Sequence, residues 1–585
     1  MKKIVTLMFV ALFALVLVGC GDKGGATLKS IKVSGKSVVY VDKTEKFTAT
    51  FDPADFKDQS VEWTTSDETA LVIDQNGTAT GKKESDSVYV FANSKAVAGI
   101  KGQKKVSVKA QDDDSDEPEY PDLQGYTIKI AQAEHALQEF DPFLDLYAGA
   151  DKAAKMQAWE EVEEDFNCQI EVVAYPASAE WGPSRWNYIL SQAQMNTSDY
   201  DVYTVPDSKI PTFVEGGALI SVEDFYVLHG NNMMDPSFIT SGSYQGSLYA
   251  MGNADNNIYS VMYYNVGLYD ELKKADPTLK EPAEIFNEGN WTHQTFKNYV
   301  KQVQDVMAKA FGTLGTAGDD AQEYYAVAGW DSYWWVGLAT NDGEPLADTQ
   351  SMKINIDTPH KLEAAEVVKY IYENNYGDPA QSVDQSVASW NDGKAFFNTG
   401  DLWFVGADNR WSKTLWGEDT RYGYVPWPRA NDVEFEDIKI AMGGTATWVM
   451  PIGRDYTAYG EDCNAENIYW AVAEMLQRSE KYYKEDPAYD EEMALEAIAA
   501  KYAHSDASKK AYIHMQNLIK EGKGYFDPLV VSDNSVGSLY TNSTQRLTIK
   551  GAVTQYCYTK AVGDWQEAIV NLLPVLQENL RKAYS

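Results

Sequence analysis

Two kinds of hydrophobic pattern divide the chain. Between 28 and 110, apolar residues occur in short runs such as 38–41 and 88–91, and turn residues such as Asn76-Gly77 separate them. Short alternating runs bounded by turns predict a β-sandwich. We expect Trp63, in the run 61–63, to be a core tryptophan between the two sheets.

From residue 125 onward, strands alternate with helices. Apolar runs at 126–130, 170–173 and 201–205 are separated by segments with helical periodicity at 152–166 and 186–195. This order predicts an α/β body with a parallel sheet covered on both faces. Further helices are predicted after an N-cap at Thr292, from Thr358-Pro359 onward, and over 564–584 as an amphipathic helix docked on the body.

The first twenty residues have the pattern of an export signal. Lys2 and Lys3 precede the apolar stretch 4–18, which is shorter than the roughly twenty residues needed to span a membrane. Gly19-Cys20 and a polar, glycine-rich tether follow. This segment resembles the lipobox of bacterial lipoproteins, which implies cleavage before Cys20 and lipid on its thiol, and two acyl chains anchor a protein stably. The alternative is an ordinary secreted protein in which Cys20 is incidental.

Length and charge add limits. A chain of 585 residues is expected to form two or more domains. The formal charge of −37 repels nucleic acid and anionic lipid, so we predict no nucleic-acid partner, and membrane attachment through the lipid alone. The acidic, proline-containing segment 111–124 is predicted to be an extended linker.

Cysteine usage argues against a disulfide framework. Cys168, Cys463 and Cys557 remain besides Cys20, and an odd number in an exported protein does not fit a set of bridges. One bridge is possible, but we interpret all three as small buried hydrophobic residues.

Catalytic and cofactor motifs are missing from the sequence. It has no Walker loop, G-x-G-x-x-G, H-E-x-x-H, C-x-x-C or G-x-S-x-G motif, and the six histidines lack metal-ligand spacing. With 87 acidic residues, a carboxylate pair for glycoside hydrolysis could always be proposed and carries no weight. We therefore predict no enzyme activity, no cofactor and no metal.

Two resemblances give the domains. The first segment resembles the bacterial immunoglobulin-like group 2 domain, which implies a spacer or adhesion module; the matching pieces are 31–33 (IKV), 47–53 (FTATFDP), 61–67 (VEWTTSD) and 76–81 (NGTATG).

The rest resembles family 1 extracellular solute-binding proteins, the sugar receptors of ABC importers. The matching pieces, in order, are 198–204 (SDYDVYT), 216–224 (GGALISVED), 244–251 (YQGSLYAM), 261–265 (VMYYN), 290–296 (NWTHQTF), 390–403 (WNDGKAFFNTGDLW), 422–428 (YGYVPWP) and 443–448 (GGTATW).

This second resemblance implies a two-lobed, periplasmic-binding-protein-like body that closes like a hinge on a ligand between the lobes. The predicted domains are a signal peptide 1–19, a lipidated tether 20–27, the immunoglobulin-like domain 28–110, the linker 111–124, and a body 125–585 with lobe I at about 125–257 and 444–478 and lobe II at about 258–443 and 479–585.

Candidate ligand contacts follow from the resemblance and from sheet geometry. In 328–337 (AGWDSYWWVG), Tyr333 and Trp334 are predicted to stack on sugar rings, and Asp331 to accept hydrogen bonds from hydroxyls. Asp207 and Ser208 follow the third strand, where α/β sheets bind ligands. The remaining candidates are Trp181 after the second strand, Asn256 and Asn257 at the crossing between lobes, Trp403 at the matching cleft tryptophan, and Gly443 and Gly444 for close backbone approach at the hinge. For each of them, core packing or a solvated surface is the alternative.

The hypothesis is a monomeric receptor, lipid-anchored at the outer face of the cytoplasmic membrane. It would capture a carbohydrate, an oligosaccharide in our interpretation, and deliver it to the permease subunits of an ABC importer. The alternatives are the same fold binding a polyamine, peptide or metal chelate, a surface glycoside hydrolase or lyase, and an adhesin.

Overall fold

A computed structural model describes residues 27–584 apart from 37, 55, 111–119, 181, 253–257, 259, 313–322, 382–386, 403–421, 444–445, 532–535 and 538–546. The chain divides into two compact units with a boundary between Tyr120 and Pro121.

The N-terminal unit is built from β-strands. A four-stranded sheet has the order β2-β9-β8-β5, a three-stranded sheet has the order β3-β7-β6, and β1 pairs with β4. The strands are β1 (Ser30–Ser34), β2 (Val38–Tyr40), β3 (Thr44–Lys46), β4 (Thr48–Asp52), β5 (Val61–Thr65), β6 (Leu71–Ile73), β7 (Thr78–Gly81), β8 (Ser85–Ser94) and β9 (Lys101–Lys109).

Alternate residues of these strands form the core of the N-terminal unit. Val88, Val90 and Ala92 of β8 are fully buried, whereas the residues between them lie on the outer face. Trp63 is buried in the same core, and its carbonyl accepts a hydrogen bond from the Gln75 amide at 3.0 Å. The predictions of a β-sandwich pattern and of a core role for Trp63 are confirmed.

The first sheet of the second unit has the strand order β11-β10-β12-β23-β15. β10, β11 and β12 are parallel, as predicted, but β23 and β15 run antiparallel to their neighbours. Four of its strands come first along the chain: β10 (Tyr126–Gln132), β11 (Cys168–Ala174), β12 (Val202–Pro206) and β15 (Ala250–Met251). Two short strands, β13 (Ser243–Tyr244) and β14 (Ser247–Leu248), lie before β15 in the sequence, and β23 (Ala446–Val449) returns from far along the chain.

A second sheet of this unit has the order β17-β20-β16-β21. Only β17 and β20 are parallel in it. Its strands, with the short strands nearby, are β16 (Ser260–Asn265), β17 (Tyr325–Val327), β18 (Ala347–Asp348), β19 (Lys353–Ile354), β20 (Ala395–Asp401), β21 (Tyr422–Val425), β22 (Ile440–Met442) and β24 (Gly524–Phe526). The two sheets define two lobes, which we call lobe I and lobe II.

Helices surround both sheets. The α-helices of the described residues are Leu137–Phe140, Lys152–Asp165, Gly182–Gln194, Ile210–Glu215, Glu223–His229, Pro236–Ser241, Val266–Ala275, Pro282–Asn287, His293–Phe311, Asp331–Leu338, Pro359–Glu373, Ala388–Asn391, Ala465–Glu485, Glu491–Tyr502, Asp506–Leu518, Ile549–Val553, Trp565–Ile569 and Leu573–Tyr584.

The predicted C-terminal helix is wrong in one respect, because the structure has two helices there, Trp565–Ile569 and Leu573–Tyr584. Pro574 lacks the N–H that a continuous helix would direct to the carbonyl of Val570, and its ring would clash with that carbonyl. A helix can begin at this proline, but it cannot run through it.

The predicted boundary of lobe I at 478 falls inside a helix. Ala465–Glu485 stays on lobe I beyond that point, since the Tyr482 hydroxyl bonds to Glu161 and the Arg478 guanidinium pairs with Asp165 at 2.7 Å. The next helix, Glu491–Tyr502, packs in lobe II beside β21 and Asp506–Leu518. The chain therefore passes to lobe II after Glu485.

The three predicted small buried cysteines are confirmed. Cys168, Cys463 and Cys557 are all buried and free of disulfide bonds. Burial raises the pKa of the Cys463 thiol to about 11, and the other two are raised in the same direction by the same cause. These thiols are protonated and unreactive at neutral pH.

Candidate functional site

The strand registers show which edge of each sheet faces the other lobe. β15 ends at Met251 and β16 begins at Ser260, so the chain crosses between lobes there. It returns between Met442, the end of β22, and Ala446, the start of β23. An antiparallel bridge joins Ile258 to Met442, so the two crossing segments lie side by side. The sheet edges that adjoin these segments therefore face each other across the hinge.

Asp207 and Ser208 lie at this edge of lobe I. Pro206, the last residue of β12, pairs with Ala446, the first residue after the return crossing. Asp207 is buried, and the backbone N–H of Ser208 donates to its Oδ1 at 2.6 Å. Both residues thus stand at the carboxyl end of a parallel strand and beside the hinge, and their contact with a ligand stays a prediction.

The corresponding edge of lobe II is formed by β20 and the segment after β17. Ser260 pairs with Asp401, so the last residues of β20 lie beside the crossing segment. β17 runs parallel to β20, and Gly329 follows its carboxyl end. A Cβ on Gly329 would lie 2.9 Å from Asn398 Oδ1, and its φ of +96° also favours glycine, so this turn needs a residue without a side chain.

Four buried polar side chains at this edge form the polar edge cluster: Ser260, Ser332, Asn398 and Thr399. Asn398 Oδ1 accepts the backbone N–H of Thr399 at 2.9 Å. The Asn398 Nδ2 and the hydroxyls of Thr399, Ser332 and Ser260 have no hydrogen-bond partner among the described residues. A buried polar group without a partner costs about 1–3 kcal/mol, so these four atoms are suited to receive a ligand's polar groups.

Asp331 adjoins the cluster and is fully buried. It begins the helix Asp331–Leu338, and the N–H of Ser332 donates to its Oδ1 at 2.7 Å. Burial raises the pKa of Asp331 to about 6, although a hydrogen bond from Thr554 and the charge of Lys550 act in the opposite direction. The carboxyl group can therefore change its protonation near neutral pH.

Lys550 connects this carboxyl group to an aromatic ring. Its Nζ lies 3.4 Å from the centroid of the Trp330 ring, which is a cation–π contact. Burial lowers the pKa of Lys550, and the charge of Asp331 opposes that effect. The Trp330 indole N–H donates to the Gln381 carbonyl at 2.6 Å.

Trp334 is packed in the core of lobe II, and the predicted stacking of its ring on a ligand stays a prediction. Its side chain has no exposed surface, and its indole N–H donates to the Ala328 carbonyl at 2.8 Å. The ring stacks on Phe296, with centroids 5.7 Å apart, and meets Trp427 edge-on. Tyr333 is also buried, and its predicted contact with a ligand stays a prediction.

Sequence reasoning missed Trp330, which is 9% exposed, and the polar edge cluster. The helix Asp331–Leu338 is buried on every side, so its hydrophobic pattern could not show which aromatic ring of 328–337 lies nearest the cleft. A signal for Asn398 and Thr399 existed: they are polar residues near the carboxyl end of the buried run 395–401.

A cavity lies beside the crossing segments. It contains about 360 Å³ of space that protein atoms do not fill, part of it open to solvent. Its lining includes Ile258, Ser260, Asn341 and Trp427, and all of its lining residues belong to lobe II or the crossing segments. It adjoins the polar edge cluster through Ser260 and has no lining residue from lobe I.

Six predicted functional residues lie outside the described residues: Cys20, Trp181, Asn256, Asn257, Trp403 and Gly444. Gly443 is described, and a Cβ at this position would lie 3.1 Å from Val531 Cγ2. Gly443 therefore packs closely against Val531 at the return crossing, and its role in ligand approach stays a prediction.

Within the described ranges, no group of three or more His, Cys, Asp or Glu side chains could hold a metal ion. No helix in the described part of the chain is both long and apolar enough to cross a membrane.

The sequence matches the profile of the bacterial extracellular solute-binding proteins over residues 157–462. It also matches the profile of the bacterial Ig-like domain (group 2) over residues 27–110. The chain belongs to the bacterial extracellular solute-binding protein family, with a group 2 Ig-like domain preceding the matched region. Both predicted resemblances are confirmed, and this family consists of binding proteins rather than enzymes.

Solved structures with similarity to this chain include three sugar receptors. The sugar-binding protein MalE of Xanthomonas citri is 13% identical over 78% of this chain and 98% of that chain, with a TM-score of 0.47. The cyclic α-maltosyl-1,6-maltose binding protein of Arthrobacter globiformis is 13% identical over 78% of this chain and 99% of that chain, with a TM-score of 0.47. The GacH receptor of Streptomyces glaucescens, solved unliganded and with acarbose, is 14% identical over 78% of this chain and 99% of that chain, with a TM-score of 0.44. No curated protein sequence matches this chain.

Proposed function

We propose that this protein is a receptor that captures a carbohydrate, an oligosaccharide in our interpretation, between lobes I and II and delivers it to the permease of an ABC importer without catalysing a reaction. The observation that carries the proposal is the polar edge cluster, whose amide and hydroxyl groups lack partners among the described residues. Hinge closure would bring the edge with Asp207 toward this cluster, so a ligand could contact both lobes only in the closed state.

The chemistry of the cluster favours a carbohydrate. Sugar hydroxyls both donate and accept hydrogen bonds, so a sugar can pair with an amide donor such as Asn398 Nδ2 or with a hydroxyl such as that of Thr399. Charged groups of both signs lie nearby, namely Lys550 and the carboxyl groups of Asp331 and Asp401. Trp330 supplies an aromatic ring at the same place, although Lys550 covers one face of it.

The location that we propose is the outer face of the cytoplasmic membrane. The family is extracellular, and the predicted lipobox at Cys20 would supply the anchor. We expect a monomer with no nucleic-acid partner and no cofactor.

The test is a thermal-shift screen against monosaccharides and oligosaccharides, followed by titration of the best ligand. A bound sugar should raise the melting temperature by mass action. Asn398→Ala should then weaken binding about tenfold or more, because it removes the unpaired amide. Asn298→Ala removes the same group from the exposed face of the helix His293–Phe311 and should leave the affinity unchanged.

Two outcomes would contradict parts of the proposal. If no sugar shifts the melting temperature while a polyamine, a peptide or a metal chelate does, the carbohydrate assignment is wrong and solute binding remains. If incubation of the purified protein with oligosaccharides yields shorter products, the protein catalyses a reaction.

A further inference from the structure

Charge is distributed unequally along the chain. Residues 27–110, the Ig-like domain, contain 13 lysines and 11 acidic residues and carry a formal charge of +2. The complete chain carries −37, so all other residues together carry −39. The strong negative charge of the whole protein therefore does not describe its Ig-like domain.

The lysines of β9 lie on one face of the four-stranded sheet. Lys101, Lys105 and Lys109 are exposed, whereas Val106 and Val108 point into the core. A spacing of four residues keeps the side chains on one face, about 13 Å apart. None of these three lysines forms an ion pair among the described residues, so their charges are available to a partner.

Aromatic rings stand beside these lysines. Tyr89 of β8 is paired with Lys105, and Tyr40 of β2 is paired with Lys109. The Lys101 ammonium lies 4.3 Å from the centroid of the Phe91 ring, and the Tyr89 and Phe91 rings stack 6.2 Å apart. We call this surface, made by Lys101, Lys105, Lys109, Tyr40, Tyr89 and Phe91, the basic sheet face.

We infer that the basic sheet face docks on anionic phospholipid headgroups beside the proposed lipid anchor. The inference rests on the proposed anchoring, because ten residues separate Cys20 from Ser30 and can span at most about 35 Å. A lipid on Cys20 would thus keep the domain close to the headgroups. Lysines attract an anionic membrane surface, and aromatic rings with polar tips are suited to the headgroup level.

The charge of the rest of the protein does not oppose this contact at physiological salt. Exposed charges farther apart than about 8 Å are largely screened at 0.15 M ionic strength. The local charge of the docking face therefore decides the interaction, and among the described side chains of the sheet Glu62 of β5 adds an acidic group to that face. Docking would fix the orientation of the Ig-like domain on the membrane.

The experiment is vesicle co-sedimentation of the mature chain from residue 20 onward, carrying Cys20→Ser so that no lipid is attached. Vesicles of phosphatidylcholine with 30% phosphatidylglycerol are compared with pure phosphatidylcholine. We expect binding to the anionic vesicles only, and weaker binding as salt rises. The triple variant K101Q/K105Q/K109Q should bind about a hundredfold more weakly, or about fivefold per lysine.

The control variant is K43Q/K82Q/K83Q, which removes the same charge from exposed lysines beside the other sheet. It should bind within about twofold of the parent chain. If the K101Q/K105Q/K109Q variant has a lowered melting temperature, the three single variants replace it, each with an expected fivefold loss.

Three results would overturn the inference: no binding to anionic vesicles at low salt, an equal loss in the control variant, or binding to soluble poly(glycerol phosphate) without binding to vesicles. The last result would assign the basic sheet face to a polyanion of the cell wall. Because the chain tested carries no lipid, its behaviour is independent of the anchor, whose presence is measured separately from the mass of the peptide that contains residue 20.

Discussion

Two buried carboxyl groups of lobe II have raised pKa values. Asp331 and Asp527 are both fully buried, and burial raises the pKa of each to about 6. Asp527 keeps three backbone partners, including the N–H of Leu346 at 2.6 Å and that of Leu529 at 3.0 Å. Asp331 has fewer bonds and lies beside the polar edge cluster, so it is the better position at which to test the effect of burial.

Asp331→Asn should change how stability depends on pH. A pKa raised from 3.8 to about 6 means that the folded state holds the proton more tightly. The resulting stability is fully present below pH 3.8 and is lost as the pH rises through about 6. As the pH rises from 5 to 7.5, deprotonation of Asp331 should lower the unfolding free energy of the parent chain by about 1 kcal/mol. The Asp331→Asn variant should not show this loss. Denaturant unfolding at both pH values measures the difference, and identical changes in both proteins would contradict the assigned pKa.

Two helices are preceded by a threonine at the N-cap position. Thr292 precedes the helix His293–Phe311, and its hydroxyl accepts the N–H of Thr295 at 3.3 Å, as an N-cap should. Thr358 precedes the helix Pro359–Glu373 in the same extended conformation, but its side chain makes no capping hydrogen bond. Two threonines in equivalent sequence positions therefore contribute differently to their helices.

Thr292→Ala should lower the free energy of unfolding by about 1 kcal/mol, because it removes a capping acceptor. Thr358→Ala is the matched control and should change stability by less than about 0.5 kcal/mol, since no cap is lost. Chemical denaturation of both variants measures the difference. Equal losses would show that the Thr292 hydrogen bond contributes nothing specific to its helix.

At the scale of the whole molecule, the last helix joins the two lobes. In Leu573–Tyr584, the Gln577 amide donates to the Met352 carbonyl of lobe II at 2.7 Å. Near its end, Lys582 pairs with Glu215 of lobe I at 2.6 Å, and the Ala583 carbonyl accepts the N–H of Gln245. Closure of the lobes must therefore preserve or rearrange these contacts.

The proposed lipid on Cys20 determines whether the whole protein is held at a membrane. Cys20→Ser should abolish the diacylglycerol mass on the N-terminal peptide and move the protein from the detergent phase to the aqueous phase in a cloud-point partition. Cys168→Ser, at a buried position in β11, should keep both properties. Detergent-phase partition of the Cys20→Ser variant, with the lipid mass retained, would show that another residue carries the lipid.

Local sequence patterns predict the features that short-range chemistry encodes. Alternation in 28–110, the parallel order of β10, β11 and β12, and the Thr292 cap all follow from short-range periodicity and side-chain chemistry. Asp207 lies beside the return crossing at the edge of lobe I, as expected of a residue that follows a parallel strand, and its contact with a ligand stays a prediction.

Tertiary packing determines which side chains lie at the edge of lobe II. Trp334 and Trp330 are four residues apart in the same aromatic segment, yet one fills the core and the other lies at the edge of lobe II. Asn398 and Ser332 meet there because β20 and the helix after β17 are brought together by sheet pairing across some seventy residues. The raised pKa of Asp331 likewise depends on burial by segments that are distant in sequence. No local sequence pattern contains that information.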